Sequence, residues 1–333
     1  MHLEVEKRPL RILGTGVYLP PTCWTDQQME EQLGLPAGWV MQYCGVRTRH
    51  RANGEQASSM AAKAALQALA AAEIGPQEID LVIGACGTQQ QTIPSMGALI
   101  HKQLGLKRTV AFDVNSTCLS FLTALDLASY LLETKVYRTI LIVSADVASA
   151  GLNPADPKTA TLFGDGAAAA VVQHAGDTSS GILASSFETW SEAQEACVLA
   201  GGGSYLGLPQ EPVEDRSRWL FQMDGPKLLR QAFPRCLILL QKLMEETGLT
   251  WGDLSALVCH QASPKALEVL ARKLQISTCR LIKVVDKVGN MVAASLPYAL
   301  HTAISAGDLQ RGERCMLLGT SAGISVGGMV LEY

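Results

Sequence analysis

Short apolar runs of strand length alternate with longer stretches of helical period along almost the whole chain, and this alternation constrains the fold more than any other feature. Strands are expected at Arg11–Gly16, Leu81–Cys86, Val110–Asp113, Thr139–Ser144 and Ala167–Val172, and again at Ser255–Cys259, Leu281–Val285, Cys315–Leu318 and Gly327–Leu331. Helices are expected at Ser58–Ala72, Met96–Leu104, Cys118–Leu132, Pro226–Thr247, Pro264–Leu274 and Met291–Ala306. Strands that are apolar on both faces and separated by helices belong in sheets covered on both sides. The polar, small-residue segment His174–Gly181 is the expected seam between two halves, residues 1–176 and 177–333, and Ala200–Arg218 reads as a long loop. Each half carries a glycine-studded strand near its end, GDGAAAAVV at 164–172 and VGGMVLEY at 326–333, which hints at an internal duplication.

At 333 residues the chain is too long for one ordinary core. With 48% apolar and 17% charged residues it has the composition of a well-buried globular protein. A net charge of −4 argues against a nucleic-acid partner, which would call for a basic excess. No apolar run reaches the roughly eighteen residues of a membrane span, and the charged start MHLEVEKRPLR is unlike a secretory leader. Nine cysteines without a C-x-x-C pair suggest neither a disulfide framework nor a zinc ribbon. The expectation is a soluble enzyme or binding protein of a reducing compartment.

Two motifs mislead. GTSAG at 319–323 has the form of a nucleophile elbow, but an elbow opens a helix and is followed by its acid and base. Only a strand-like stretch without His or Asp follows Ser321. It is better read as a glycine-bearing strand connection that offers backbone N–H groups. LGTGVYLPP at 13–21 begins like a dinucleotide fingerprint, yet it lacks the third glycine and two prolines block the helix.

The informative residues sit where strands give way to helices. Cys118 follows Asn115-Ser116-Thr117, residues suited to a turn and cap, and opens a helix with Leu119, Leu122, Leu125 and Leu132 on one face. A cysteine at a helix N-terminus is expected to favour its thiolate. His260 is delivered to a strand end by SALVC, ahead of a helix opened by Ser263-Pro264. Catalytic groups of parallel sheets gather at such carboxyl ends. Asn290 lies at the Gly289-Asn290 break before another helix. It could cap that helix, or it could donate a fixed N–H to a carbonyl oxygen without titrating.

Taken in order, ILGTGVYLP, GVRTRH at 45–50, IPSMGALIHKQLG at 93–105, FDVNSTCLSF at 112–121, LFGDGAAAAVV at 162–172, CHQASPKALEVLARKLQI at 259–276 and VGNMVAASLPYAL at 288–300 resemble the β-ketoacyl-acyl carrier protein synthase III family of thiolase-like condensing enzymes. The resemblance runs nearly end to end. It implies an α/β fold, the thiolase-like five-layer αβαβα arrangement of two duplicated halves, in a homodimer that uses no cofactor beyond the CoA or phosphopantetheine arm of its substrates. It makes Cys118 the nucleophile that takes an acyl group from acyl-CoA or acyl-acyl carrier protein. His260 and Asn290 then stabilise the enolate formed when a malonyl thioester loses carbon dioxide. The Cys118 N–H and that of Ala322, in a loop with Gly323, would form the oxyanion hole.

Departures from the family pattern carry information too. Trp39 keeps the aromatic that clamps the CoA adenine in acetyl-specific relatives, while Tyr43 and Pro157 stand where those relatives have arginines. Loss of both cations would weaken phosphate binding. Ile93 replaces the phenylalanine that shortens the acyl pocket in acetyl-specific members, and the glutamate of the head-to-head condensing enzymes, so a longer primer is implied. Arg230, Lys265, Arg272 and Lys273 fall where the family meets its acidic carrier protein. Ser321-Ala322-Gly323 replaces three glycines. Two further readings stand beside condensation: transfer of the acyl group from Cys118 to a non-malonyl nucleophile, and a catalytically silent partner subunit.

Overall fold

The computed structural model describes residues 7–176, 178–207, 216–276 and 281–333. Its main elements run β1 (Arg11–Tyr18), α1 (Ala57–Ala71), β2 (Leu81–Gly84), α2 (Met96–Gln103), β3 (Val110–Asp113), α3 (Ser120–Glu133), β4 (Thr139–Asp146) and β5 (Gly166–Gln173). The same succession follows: β6 (Gly181–Thr189), α4 (Gly225–Thr247), β7 (Ala256–Cys259), α5 (Pro264–Leu274), β8 (Leu281–Ile282), α6 (Ser295–Ala306), β9 (Arg314–Ser321) and β10 (Ser325–Glu332).

Each set of strands makes one five-stranded sheet, in the order β1-β5-β4-β2-β3 and β6-β10-β9-β7-β8. In both, the first three strands pair antiparallel and the last three pair parallel. The second sheet thus repeats the first strand for strand, which is the signature of a duplicated unit.

Alternation along the strands explains the layers. In β4, Ile140 and Ile142 point to a core shared with Leu122 and Leu125 of α3 and Leu296 and Leu300 of α6. Leu141 and Val143 point the other way, onto Ala64, Ala68 and Leu69 of α1 and Ile100 of α2. In β9, Cys315 and Leu317 enter the same central core, while Met316 and Leu318 face Leu239 and Leu243 of α4 and Leu267 and Leu270 of α5. Period-two strands buried on both faces therefore give five layers: α1 and α2, sheet one, α3 and α6, sheet two, α4 and α5.

The glycines of LGTG serve this packing. A Cβ on Gly14 or Gly16 would lie 2.4 Å or 2.3 Å from a backbone carbonyl oxygen of α1, at Ala68 and Ala64, so β1 and the alanine-rich helix touch backbone to backbone.

Several expectations need correction. The helix expected from Cys118 begins at Ser120, preceded by a 3₁₀ turn at Thr117–Leu119. The helix expected from Met291 begins at Ser295, after a like turn at Val292–Ala294. The expected strand Leu281–Val285 stops at Ile282, because the Val284 and Val285 N–H groups bond the Gln261 side chain instead of a neighbouring strand. The strand β6 was not anticipated. It is an edge strand whose sequence, GILASSFET, alternates weakly. Of the loop expected at 200–218, residues 208–215 lie outside the described residues, as does residue 177 of the expected seam; Ser217–Trp219 forms a 3₁₀ turn.

Candidate active site

The turns that carry Cys118 and Asn290 are built alike. In the first, the Asn115 side-chain oxygen accepts the Thr117 N–H at 2.9 Å, and the Ser120 hydroxyl accepts the Ser116 N–H at 3.1 Å. In the second, the Asn290 side-chain oxygen accepts the Val292 N–H at 2.9 Å, and the Ser295 hydroxyl accepts the Met291 N–H at 2.8 Å. Thr117 and Val292, at matching positions, both have a φ of +50°. For β-branched residues this left-handed backbone is disfavoured, so it persists only where the surroundings hold it. The shared pattern puts Cys118 at the fourth position of one turn and Asn290 at the first position of the other.

His260 leaves the end of β7 with its N–H bonded to the Leu318 carbonyl of β9 at 2.7 Å. The next residue fixes the loop. Gln261 is fully buried, and its amide donates to the carbonyls of Cys259 and Ile282 at 2.9 and 3.0 Å. Its oxygen accepts the Val284 and Val285 N–H groups at 2.9 and 3.1 Å. Four bonds from one side chain satisfy it completely and pin the histidine loop to the segment that leads to Asn290.

These pieces converge. Asn290 Nδ2 donates to the Ala262 carbonyl at 3.3 Å, two residues beyond His260. A Cβ on Gly319 of β9 would lie 2.6 Å from a Leu119 methyl and 3.5 Å from the His260 Cβ, so the cysteine turn and the histidine loop meet across that glycine. A Cβ on Gly87 would lie 2.5 Å from Val292 Cγ1 and 3.2 Å from the Thr117 carbonyl group, so the cysteine and asparagine turns meet across another. The turns that carry Cys118, His260 and Asn290 therefore pack against one another at the carboxyl ends of β2, β3, β7 and β9.

The GTSAG segment borders this region as the tip of the β9–β10 hairpin. Ser321 closes the strand, and its hydroxyl donates to the Ser116 carbonyl at 2.7 Å and contacts the Thr117 hydroxyl. The backbone N–H groups of Ala322 and Gly323 have no hydrogen-bond partner in the described structure. Gly323 has a φ of +137°, which a side chain would strain.

Asp146, the last residue of β4, occupies in the first sheet the place of Ser321 in the second. It is fully buried. One carboxylate oxygen accepts the Gly87 and Thr88 N–H groups and the Thr88 hydroxyl at 2.6–2.9 Å, and the other accepts the Ala294 N–H at 3.2 Å.

The electrostatics correct the expectation of a thiolate. Burial pushes the Cys118 thiol well above its ordinary range, and Cys197 and the Asp146 carboxylate push it the same way. A single 3₁₀ turn ahead of α3 does not offset that desolvation. Burial likewise lowers His260 to about 4, leaving a neutral imidazole at physiological pH, and its Nδ1 is buried without a partner. Burial raises Asp146 to about 6, against the hydrogen bonds that favour its charge. Both groups are therefore neutral at physiological pH.

The remaining candidates lie outside this enclosed cluster. Trp39 and Tyr43 share a short helix, their ring centroids 4.8 Å apart, capped by the Glu30 carboxylate on the N–H groups of Gly38 and Val40. Lys265, in the first turn of α5, bonds the Gln42 carbonyl at 3.1 Å and so stands beside that pair. Arg272 and Lys273 are exposed in the last turn of α5, and Arg230 is exposed on α4. Ile93 is 82% exposed on the loop before α2. Sequence reasoning missed Gln261, Asp146 and Ser120. A polar residue at the end of an apolar strand or the start of an apolar helix is a local signal for each. Among the described residues there is no cluster of three or more potential metal ligands, and no helix long and apolar enough to cross a membrane.

Comparison with known proteins adds independent findings. The family model described as 3-oxoacyl-[acyl-carrier-protein] synthase III matches residues 112–191, and the model for the C-terminal part of that family matches residues 244–333. The chain is 31% identical over 325 residues to the beta-ketoacyl-[acyl-carrier-protein] synthase III of Syntrophomonas wolfei, covering 97% of each chain. The structure of the Aquifex aeolicus 3-oxoacyl-[acyl-carrier-protein] synthase III superposes with a TM-score of 0.88 at 30% identity, over 97% of this chain and all of that one. Xanthomonas campestris OleA shares the fold, with a TM-score of 0.86 at 21% identity over the full length of both chains.

Proposed function

Because the chain belongs to the 3-oxoacyl-[acyl-carrier-protein] synthase III family, we propose that it is a decarboxylating condensing acyltransferase that works through Cys118, His260 and Asn290. The observation that carries the proposal is the meeting of the three turns bearing these residues across Gly319 and Gly87, next to the backbone N–H groups of Ala322 and Gly323, which have no partner among the described residues.

In the first half-reaction the Cys118 sulfur attacks the carbonyl of an acyl thioester while the neutral His260 ring takes the thiol proton. The N–H groups of Cys118 and Ala322 receive the developing oxyanion, and collapse expels the donor thiol with that proton. In the second, a malonyl thioester enters and its bond to the carboxylate breaks. The electron pair passes into an enolate whose oxygen accepts hydrogen bonds from His260 and the free N–H of Asn290. The enolate carbon attacks the acyl-cysteine to form the β-ketoacyl thioester, and the Cys118 thiolate leaves and takes up a proton from water. Side chains and backbone donors suffice for every step, so the reading includes no cofactor.

The proposal extends to partners. Exposed Arg230, Lys265, Arg272 and Lys273 suit an acidic acyl carrier protein that delivers the malonyl group. Tyr43 and Pro157 in place of cations favour a carrier-bound donor over CoA, and Ile93 favours a primer longer than acetyl. A homodimer is part of the reading, supported by the open edge of β3 and the exposure of Ile93. So are a cytoplasmic location and a boundary between halves near residue 176.

The test is intact mass after mixing the protein with a ladder of acyl-CoAs and acyl-acyl carrier proteins. An acyl adduct on Cys118, discharged by malonyl-acyl carrier protein with release of labelled carbon dioxide, is expected. An adduct that forms but is never discharged by a malonyl thioester overturns condensation, and the absence of any adduct overturns the enzyme.

A further inference from the structure

Ser321 and Thr117 touch through their hydroxyls, and both touch the Ser116 carbonyl, at 2.7 Å and 2.8 Å. Two hydroxyl protons serve three oxygen–oxygen contacts, so one hydroxyl donates to the carbonyl and the other completes the triangle by donating or sharing its proton. Ser321 is buried. The triangle joins the last residue of β9, immediately before the Ala322 N–H, to the residue immediately before Cys118, which holds the disfavoured backbone at φ +50°. No other side-chain bond in the described structure runs from the hairpin tip to the cysteine turn.

The first half of the duplication has a matching contact. At the equivalent strand end, Asp146 bonds the Ala294 N–H in the turn that follows Asn290. Each strand-end residue thus reaches into the strained turn of the opposite half: Asp146 of the first half holds the asparagine turn, and Ser321 of the second half holds the cysteine turn. From this reciprocity we infer that the Ser321 and Thr117 hydroxyls are positioning residues, setting the distance between the Cys118 N–H and the Ala322 N–H. The inference rests on the proposed role of those two N–H groups in acyl transfer.

Its consequence is selective. Acyl transfer to Cys118 needs both donors at one oxygen, whereas decarboxylation uses His260 and Asn290, which the triangle does not touch. The test compares Ser321→Ala, Thr117→Val and Thr117→Ser with the unaltered protein. Three rates are read: acylation of Cys118 by octanoyl-acyl carrier protein, decarboxylation of malonyl-acyl carrier protein, and alkylation of Cys118 by iodoacetamide, which needs no oxyanion hole. Acylation should fall by about ten- to a hundredfold in Ser321→Ala and Thr117→Val, short of the hundred- to thousandfold that loss of a donor outright causes. Decarboxylation and alkylation should stay within about threefold, Thr117→Ser should retain acylation, and the double variant should be no slower than the slower single one.

Unchanged acylation in both variants, or an equal fall in all three rates, overturns the inference. If Thr117→Val does not fold, Ser321→Ala decides alone. If the unaltered protein is not acylated at all, it is the proposed function that fails, which is a separate result.

Discussion

Replacing Asp146 by Asn should change the pH dependence of stability in a way that can be worked out beforehand. The carboxyl is fully buried and its pKa stands at about 6 against 3.8 for a free group. At about 1.4 kcal/mol per unit, that displacement corresponds to about 3 kcal/mol. Between 3.8 and 6 the native state holds a proton that the unfolded chain has lost, so the stability of the unaltered protein falls as pH rises through this window and levels off above it. The variant has no such group. It loses an acceptor instead: whichever way its amide lies, an NH₂ faces one of the backbone donors that the carboxylate satisfied, Ala294 on one side or Gly87 and Thr88 on the other. A buried donor left unpaired costs about 1–3 kcal/mol.

The variant should therefore be the less stable protein near pH 4 and should draw level or pass the unaltered one above pH 6. Denaturant unfolding of both proteins at half-unit steps reads the difference directly, because other carboxyls cancel in the subtraction. Between pH 4.5 and 7.5 the difference should move by about 2 kcal/mol in favour of the variant. A difference that stays flat, or moves in favour of the unaltered protein, refutes the claim that burial outweighs the hydrogen bonds at this carboxylate.

Two more outcomes follow from the same site. Because burial holds the Cys118 thiol above its ordinary range, its alkylation by iodoacetamide should rise steadily from pH 6 to pH 9 with no plateau, and faster in Asp146→Asn, where one opposing charge is gone; a plateau below pH 8 in stopped-time mass spectrometry would mean a thiolate already present at rest. Gln261→Ala strips partners from the buried Cys259 and Ile282 carbonyls and the Val284 and Val285 N–H groups, and should destabilise the protein by about 3–6 kcal/mol in denaturant unfolding; a loss under about 1 kcal/mol would show that the loop finds other partners.

The layers are legible in the sequence because burial on both faces leaves its mark locally: TILIVS and GAAAAVV can hardly be anything except interior strands. The turns with Cys118, His260 and Asn290 are legible for a related reason, since each places a chemically capable residue in a short connection that leads into an apolar helix. Strand β6 is hidden because an edge strand needs less apolar patterning, and the expected strand Leu281–Val285 ends early because the N–H groups of Val284 and Val285 are claimed by a glutamine twenty-odd residues earlier. Asp146 was hidden more deeply. Its partner Ala294 lies 148 residues away, so no local spacing announces it. Asn and Ser five apart, at 115 and 120 and again at 290 and 295, mark the same turn in both halves.

Duplication also explains why the chemistry is divided as it is. Both halves offer the same turn, with an asparagine at its first position, yet only the first puts a thiol at the fourth, where the second has Ala293. The strand-end residues differ in a matching sense. Asp146 holds the asparagine turn, where its hydrogen bonds come from N–H donors and a hydroxyl. Ser321 holds the cysteine turn with a neutral hydroxyl, next to the N–H groups that would receive negative charge during acyl transfer. Exchanging the two would place a carboxylate against the developing oxyanion, where a like charge in a buried setting opposes the very species that must form. On the proposed mechanism, the two copies share a turn and differ at the strand end in the sense that the charge developing beside each turn requires.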